Sequence, residues 1–194
     1  MKKLIVAALL SATLSVPAFA QDKASSFSGP YVGAVVGLDH ARLAPGAKDD
    51  GVLYGGVVGY DKNLNGLVLG VEGEFADSTA KASSTDLLVL GDSATVKAGR
   101  DIYGGVRIGG QVADNVLLYA KGGYTNAKGT AAYDDGVTVT SASRKLDGYR
   151  LGAGVETNYA GFTVRAEYRY SSYERLLGAR PERHQAALIA GYRF

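Results

Sequence analysis

Apolar residues recur at every second position in eight stretches of the sequence, which is the pattern of β-strands whose two faces have different surroundings. No ten-residue window between these stretches carries a helical apolar stripe. We therefore predict an all-β fold of eight antiparallel strands. They span Tyr31–Leu38, Val52–Tyr60, Leu67–Phe75, Asp101–Gly109, Val116–Tyr124, Gly148–Thr157, Phe162–Tyr170 and Gln185–Phe194.

One face of every run is free of charge, as in Val32, Ala34, Val36 and Leu38 of the first run. The other face carries Glu72, Glu74, Asp101, Arg107, Lys121, Arg150, Glu156, Arg165, Glu167 and Arg169, with Arg193 near the end of the chain. Glycines lie between these charges, and a glycine leaves room for large side chains from neighbouring strands in a confined space. In a water-soluble sheet the charged face is the solvated one. Here we predict the reverse, with the charges inside a closed cylinder and the neutral face against lipid.

The connections between the runs alternate strictly between long and short. The long ones are Asp39–Gly51, Ala76–Arg100, Asn126–Asp147 and Ser171–His184, and the short ones are Asp61–Gly66, Gln111–Asn115 and Asn158–Gly161. This alternation is typical of transmembrane barrels, which have long extracellular loops and short periplasmic turns. A sheet can span a bilayer only if it closes on itself. We therefore predict an eight-stranded antiparallel up-and-down transmembrane β-barrel whose last strand pairs with its first.

The N-terminus has the layout of a secretory signal peptide. Two lysines, Lys2 and Lys3, precede the apolar run Leu4–Leu10, and the small-residue box Ala18–Ala20 follows. The apolar run is well short of the ~20 residues that a membrane-spanning helix needs. We predict cleavage after Ala20, a short periplasmic segment over 21–28 and the barrel over 29–194.

Composition argues against a nucleic-acid partner and against sites built from cysteine. Without Lys2 and Lys3 the basic count falls from 21 to 19, which equals the 19 acidic residues. This balance argues against a nucleic-acid partner. The chain has no cysteine, so disulfides and cysteine metal sites are excluded.

Several strings resemble small OmpA-like outer-membrane β-barrel surface proteins. The ending A-G-Y-R-F is similar to the C-terminal signature of bacterial outer-membrane proteins, and Tyr192 and Phe194 occupy its aromatic positions. The other strings lie at Phe27–Ala34, Gly70–Phe75, Leu117–Tyr124, Gly152–Glu156 and Thr163–Tyr170. The missing tryptophan departs from the aromatic girdles of that group.

This resemblance implies the outer membrane of a Gram-negative bacterium, with lipid and lipopolysaccharide around the barrel. It also implies insertion by the barrel-assembly machinery, which recognises the terminal aromatic residue. A buried cluster of carboxylates and basic groups is a further property of the group, and Glu72, Glu156 and Arg165 match it.

The ten inward charges comprise five acids and five bases, with Arg193 left at the rim. Since eight strands enclose an interior that side chains just fill, we predict a lumen plugged by a charged network. The expected function is structural, with surface display through the four long loops. The alternatives are a small porin-like channel and an adhesin or ligand-binding surface protein. The sequence names no extracellular ligand, and we expect a monomer.

Aromatic residues fall near the ends of the runs on the neutral face, where girdles at the membrane interfaces explain them. They are Tyr54, Tyr60, Phe75, Tyr124, Tyr149, Phe162, Tyr168, Tyr170, Tyr192 and Phe194. Ser171, Ser172 and His184 share the last long loop and are the only basis for a lipid-modifying enzyme, but no motif fixes their geometry. His40 and His184 lie in loops without a metal-ligand spacing. We therefore expect no catalytic site, no cofactor and no metal.

Overall fold

The computed structural model describes residues 27–44, 47–85, 93–134, 139–174 and 180–194. The predicted signal peptide lies outside these residues. None of the described residues belongs to a helix long and apolar enough to cross a membrane.

The described chain forms nine antiparallel strands, eight long and one short. They are β1 Gly29–Ala44, β2 Ala47–Leu64, β3 Leu67–Ser78, β4 Lys81–Thr85, β5 Ser93–Ala113, β6 Val116–Asp134, β7 Val139–Tyr159, β8 Phe162–Tyr173 and β9 Glu182–Arg193. Strand β4 continues the course of β3 and pairs with the start of β5. The eight long strands correspond to the eight predicted runs, so the predicted strand count is confirmed.

The sheet closes into a barrel. Each long strand pairs with its neighbours in the chain, and β3 pairs with β5. The first and last strands close the ring, with Val35 opposite Ile189. The backbone N–H of Phe194 donates to the carbonyl of Pro30 at 2.9 Å, next to this seam. This pairing confirms the prediction that the last strand pairs with the first. Closure leaves no unpaired strand edge in the wall.

The two faces of the wall differ as predicted. Successive residues of a strand point to opposite faces, and in β2 the outward Val58 is 58% exposed while the inward Val57 is 1% exposed. The outer surface is covered by valine, leucine, isoleucine, tyrosine and phenylalanine. An apolar exterior of this kind matches a lipid surrounding rather than water.

The predicted long loops are wrong in one respect, because strands occupy much of them. Strands β6 and β7 remain paired up to Asp134 opposite Val139, so most of Asn126–Asp147 is a β-hairpin. Most of Asp39–Gly51 is likewise the β1–β2 hairpin. Strict alternation of apolar and polar residues stops where neither face meets lipid, but backbone pairing continues. The end of the barrel that carries these extensions is called the hairpin end below.

At the opposite end, called the turn end, the strands are joined by two-residue turns. Asn65–Gly66 and Ala160–Gly161 have positive φ at both residues, which is the requirement of a type I′ turn. This turn type suits the right-handed twist of the flanking strands. The third turn, Asp114–Asn115, follows a β-bulge between Gln111 and Ala113. The predicted short connections are therefore confirmed.

Two apolar clusters lie inside the barrel, and the sequence patterns did not predict them. One lines the inner wall on β1, β2, β3 and β9 and includes Tyr31, Leu53, Val57 and Ile189. The other lies near the turn end, where the fully buried Phe27 packs with Val68, Leu117 and Tyr119. The segment before β1 therefore contributes a side chain to the interior.

Candidate functional site in the barrel interior

All ten charged residues that the sequence assigned to the lumen point inward, and each is at most 5% exposed. They are Glu72 and Glu74 on β3, Asp101 and Arg107 on β5, Lys121 on β6, Arg150 and Glu156 on β7, and Arg165, Glu167 and Arg169 on β8. Removing an ion from water costs several kcal/mol in a protein interior. The arrangement of these groups must therefore compensate their charges locally.

The middle of the lumen is organised around Lys121. Its ammonium lies 2.7 Å from an oxygen of Glu72 and 2.7 Å from an oxygen of Glu167. Glu167 also accepts a hydrogen bond from Arg169 Nε, and Arg169 Nη1 donates to Glu74 at 2.7 Å. Residues from β3, β6 and β8 are thus linked across the interior.

Toward the turn end, Glu156 is the central acceptor. Arg107 Nη2 donates to Glu156 at 2.6 Å and Arg193 Nη2 donates at 2.7 Å. Arg165 lies 3.0 Å from Glu156 and 2.7 Å from Glu72, so it joins this group to the middle of the lumen. Arg193 also donates to Asp61 at 2.8 Å.

Toward the hairpin end, Arg150 connects Glu74, at 3.2 Å, with Asp101. Arg183 lies 3.3 Å from Asp101 and also donates to Asp39. These contacts extend the network from the middle of the lumen to the hairpin end. The ion pairs therefore form one connected set from Asp61 to Asp39.

The sequence analysis missed four members of this network. Asp39, Asp61, Arg183 and Arg193 are all buried and paired inside the barrel. The prediction that Arg193 lies at the rim is wrong, because its guanidinium turns inward to Glu156. Within the described residues, the buried charges are the seven acids Asp39, Asp61, Glu72, Glu74, Asp101, Glu156 and Glu167, and the seven bases Arg107, Lys121, Arg150, Arg165, Arg169, Arg183 and Arg193. The charge balance predicted for the interior therefore also holds for the larger set.

Inward tyrosines, which were not predicted, pack against these charges. The Arg165 guanidinium lies 4.2 Å from the centre of the Tyr31 ring, and that of Arg107 lies 4.2 Å from the Tyr119 ring. Such contacts between a cation and a ring face are attractive. The Tyr31 hydroxyl donates to Glu72 at 2.8 Å and the Tyr119 hydroxyl donates to Glu167 at 2.6 Å. The tyrosines therefore fill space and satisfy carboxylates together.

Glycines make this packing possible. A Cβ on Gly59 would lie 2.3 Å from the Tyr31 ring, and one on Gly154 would lie 2.8 Å from the Tyr119 hydroxyl. Gly59 is directly opposite Tyr31 on the next strand, and Gly154 is directly opposite Tyr119. The glycines of the charged face therefore give room to tyrosines as well as to charged side chains.

The predicted aromatic residues form two groups on the outer surface. Near the turn end, Tyr192 packs edge-to-face on Phe162 and Phe194, with ring centres 5.3 and 5.1 Å away. Near the hairpin end, Tyr124 lies directly opposite Tyr149. The other outward members are Tyr60 on the turn side and Tyr54, Phe75, Tyr168 and Tyr170 on the hairpin side. Aromatic residues at these two levels are typical of membrane-interface girdles.

The residues that suggested a serine–histidine site are not arranged as one. Ser171, Ser172 and His184 lie in strands β8 and β9, so their prediction as loop residues is wrong, as it is for His40 in β1. Ser171 accepts a hydrogen bond from Arg150 inside the barrel at 2.9 Å. His184 instead lies on the outer face, where it hydrogen-bonds the Tyr168 hydroxyl at 2.7 Å. Within the described residues, no three histidine or acidic side chains are placed to hold a metal ion.

A closed antiparallel barrel with an apolar exterior, aromatic girdles and a charged interior is a transmembrane β-barrel. Residues 6–194 match the family described as outer membrane protein beta-barrel domain, and the chain belongs to this family. It is therefore a protein of the Gram-negative outer membrane. In such barrels the short turns face the periplasm and the long connections face outward, so we expect the hairpin end to be the extracellular one.

Solved outer-membrane barrels share the fold. Neisserial surface protein A is similar with a TM-score of 0.57 and 15% identity, covering 86% of this chain and 98% of that one. Ail, the attachment invasion locus protein of Yersinia pestis, was solved with the heparin analogue sucrose octasulfate. It is similar with a TM-score of 0.53 and 23% identity, covering 86% of this chain and 99% of that one. The N-terminal barrel domain of Pseudomonas aeruginosa OprF is similar with a TM-score of 0.52 and 15% identity, covering 87% of this chain and 99% of that one. No curated protein matches the sequence.

Proposed function

We propose that this protein is a non-conducting, non-catalytic barrel that supports the outer membrane and displays its extracellular hairpins at the cell surface. The observation that carries the proposal is the connected ion-pair network, in which seven acids and seven bases are buried and paired. A selectivity array would present charges to a water-filled path. Here each charge is within ion-pair distance of an opposite one.

Packing supports a closed lumen as well. Eight strands enclose a space that side chains can fill, and Tyr31, Tyr103 and Tyr119 are buried in it beside the charges. Near the periplasmic end, Phe27 packs inside the barrel with Val68 and Leu117. An apolar plug at one end and an ion-pair network along the rest oppose the passage of hydrated ions.

The porin-like alternative is tested by conductance. The mature protein, refolded and inserted in planar lipid bilayers, is expected to give no steady ionic current. Long-lived, ohmic openings in most insertions would contradict the proposal and favour a small channel. A preparation heated until the barrel unfolds provides the baseline for leakage that does not depend on the fold.

A lipid-modifying activity is disfavoured by the opposite orientations of Ser171 and His184, since a serine nucleophile requires a hydrogen-bonded base. The test compares lipid A from cells with and without the gene by mass spectrometry. We expect identical acylation, and a change of acyl chains would overturn the non-catalytic assignment.

A ligand-binding surface role is the second candidate, and the extracellular strand extensions favour it. Strands β6 and β7 stay paired for several residues beyond the outer girdle at Tyr124 and Tyr149. Such a rigid hairpin can present binding residues to an external partner. Grafting residues 125–148 onto another eight-stranded barrel, followed by a pull-down from host extracellular material, tests this role. Retention of a ligand by the graft and by the native protein would support it.

The partners are part of the proposal. We propose that the barrel-assembly machinery recognises the C-terminal pair Tyr192 and Phe194 during insertion, and that the folded protein is a monomer in lipid and lipopolysaccharide. Lipid contact explains an exposed apolar wall without a partner subunit, which supports a monomer. Cross-linking in native outer membranes tests the oligomeric state, and a predominant dimer band would contradict a monomer.

A further inference from the structure

The two histidines of the chain are neighbours on the outer wall. His40 on β1 lies directly opposite His184 on β9, across the seam where the first and last strands pair. The sequence contains no other histidine and no cysteine. His40 has the same parity as the outward Leu38, and both histidines are half-buried at the hairpin end. The spacing of the two residues along the chain could not indicate this pair, because only closure of the sheet brings them together.

Each histidine is held at its Nδ1 atom by a neighbour on the side away from the seam. His40 Nδ1 lies 2.6 Å from the carboxylate of Asp50, which is its partner on β2. His184 Nδ1 lies 2.7 Å from the Tyr168 hydroxyl on β8. Since a carboxylate only accepts hydrogen bonds, Nδ1 of His40 carries the proton, and the Tyr168 oxygen can accept from His184 in the same way. Both contacts therefore leave Nε2 of a neutral ring without a proton.

The second ring nitrogen, Nε2, is available on both histidines. Within the residues that the structure describes, neither Nε2 atom has a hydrogen-bond or ion-pair partner. In an imidazole ring the Nε2 lone pair points away from the side on which Nδ1 lies. Nδ1 of His40 is turned toward β2 and Nδ1 of His184 is turned toward β8. The two Nε2 lone pairs therefore converge above the β1–β9 seam.

The spacing of the pair suits a shared metal ion. Directly opposite residues of a ladder have Cβ atoms about 4.5–5.5 Å apart, and two zinc–nitrogen bonds of about 2.0–2.1 Å require nitrogens roughly 3.4 Å apart. A small tilt of each ring toward the seam closes this difference. A histidine that binds metal usually donates its other N–H to a carboxylate or another oxygen. Asp50 and Tyr168 occupy these supporting positions.

We propose that His40 and His184 bind a divalent transition-metal ion of the zinc type through their Nε2 atoms, across the β1–β9 seam at the hairpin end. Imidazole nitrogens suit Zn²⁺, Ni²⁺ and Cu²⁺, whereas Mg²⁺ and Ca²⁺ prefer oxygen ligands. The described residues place no group of three histidine or acidic side chains around a metal, so water completes the coordination. The site goes beyond the proposed function, since it needs the paired seam and not the closed lumen.

A metal ion at this position joins the first strand of the barrel to the last. A ligand that binds the folded state and not the unfolded one stabilises the fold, and the unfolded chain does not hold the two histidines together. At a free metal concentration a hundred times the dissociation constant, the ratio of folded to unfolded protein should rise about a hundredfold. The metal thus acts as a clamp on the seam.

The experiment titrates the untagged mature protein, refolded in detergent micelles, with zinc chloride and separately with copper(II) chloride. Calorimetry measures the affinity for Zn²⁺, and electron paramagnetic resonance counts the imidazole nitrogens bound to Cu²⁺. We expect one ion per barrel, bound by two imidazole nitrogens. His40→Asn and His184→Asn should each weaken binding at least about tenfold, because the second ligand no longer acts within the same molecule, and should show one nitrogen. Asp50→Asn should weaken binding about tenfold while both nitrogens remain.

A matched control keeps two histidines but separates them. His184→Asn/Ser143→His moves the second histidine to the exposed part of β7, and it should bind as weakly as His184→Asn. Wild-type affinity in this variant, or single variants within about threefold of the wild type, would overturn the site. A single imidazole nitrogen in the wild type would do the same. Displacement of Zn²⁺ by an equal concentration of Ca²⁺ would point to carboxylate ligands and would also overturn it.

Folding and stability are measured on the same preparations. The histidine side chains lie on the outer surface, so the variants should fold and show the heat-modifiable migration of the wild type on gels. Zinc should raise the urea midpoint of the wild type and leave that of the single variants unchanged. Binding to the wild type without a higher midpoint would contradict a bridge across the seam. A conducting wild type would contradict the closed-lumen proposal and leave the metal result readable.

Discussion

Lys121 and Glu72 form the contact that joins the wall of β6 to the wall of β3 through the centre of the barrel, with Nζ 2.7 Å from the carboxylate. Glu167 approaches the same ammonium from β8 at 2.7 Å. A cation shared by two buried carboxylates compensates both of them. The stability of the barrel therefore depends on this residue more than on any exposed lysine.

We expect Lys121→Met to lower the free energy of unfolding by about 3 kcal/mol or more, because it leaves carboxylates buried without their shared cation. Urea unfolding in lipid vesicles, followed by the heat-modifiable band, measures the change. The matched control Lys62→Gln should alter stability by less than about 0.5 kcal/mol, as exposed positions usually do. Equal stability of the two variants would show that the network does not hold the barrel together.

The pairing of inward tyrosines with glycines leads to a second prediction. Gly59→Ala places a methyl group against the Tyr31 ring and the backbone of β3. Overpacking of this kind should destabilise the barrel by about 1–3 kcal/mol. Gly104→Ala is the control, since a Cβ at Gly104 would have no neighbour within 4 Å. If both variants unfold at the same urea concentration, the interior is looser than the contacts indicate.

The turn at Ala160–Gly161 offers a third prediction. Ala160 has a φ of 50°, while Asn65 has a φ of 53° in the matching turn. Alanine is strained in this left-handed region, whereas asparagine tolerates it. Ala160→Asn should therefore stabilise the barrel by about 1 kcal/mol, and Asn65→Ala should destabilise it by a similar amount. Thermal unfolding in micelles measures both, and shifts of the same sign would contradict the turn assignment.

The C-terminal signature gives a prediction that separates folding from cellular assembly. Phe194→Ala removes one edge-to-face contact with Tyr192, worth about 1 kcal/mol in the purified protein. In cells we expect a severalfold loss of assembled barrel, because we have proposed that the assembly machinery recognises the terminal aromatic residue. Phe162→Ala removes the comparable contact on the other side of Tyr192. Equal amounts of both variants in outer-membrane fractions would leave no special role for Phe194.

Period-two alternation was sufficient to predict the barrel, because a strand with one lipid face must alternate wherever it crosses the membrane. It failed where the lipid contact ends. Strand β5, at 21 residues, extends beyond its predicted limits at both ends. In these extensions the strands stay paired through their backbones, but their side chains no longer alternate between apolar and polar, so the sequence pattern does not reveal the strand.

The same limit explains the missing network residues. Asp39 directly follows the run that was ended at Leu38, and Asp61 directly follows the one that was ended at Tyr60. Extending each run by one residue would have assigned both aspartates to the interior. Starting the last run two residues earlier than Gln185 would have done the same for Arg183. The ion pairs themselves join residues of distant strands, such as Arg165 and Glu72. Only the curvature of the closed sheet brings such residues together.

The inward tyrosines had a weaker signal. Tyr31, Tyr103 and Tyr119 occupy positions of the charged face. Tyr31 and Tyr103 are followed on that face by Gly33 and Gly105, whereas Tyr119 has its glycines opposite it on the two neighbouring strands. A bulky ring beside residues without side chains is a packing pattern, and it becomes informative once the neighbouring strands are known.

The measurement that tests the inside-out arrangement most directly uses spin labels, since the chain has no cysteine of its own. Val106→Cys places a label on the outer wall at mid-barrel, where the side chain is 63% exposed. Ser143→Cys places one on the extracellular part of β7. For the refolded protein in lipid vesicles, we expect the label at Val106 to collide with oxygen and to be shielded from a water-soluble nickel chelate, and the label at Ser143 to show the opposite. Equal access of the nickel chelate to both labels would show that water, not lipid, surrounds the neutral face, and would contradict the membrane barrel.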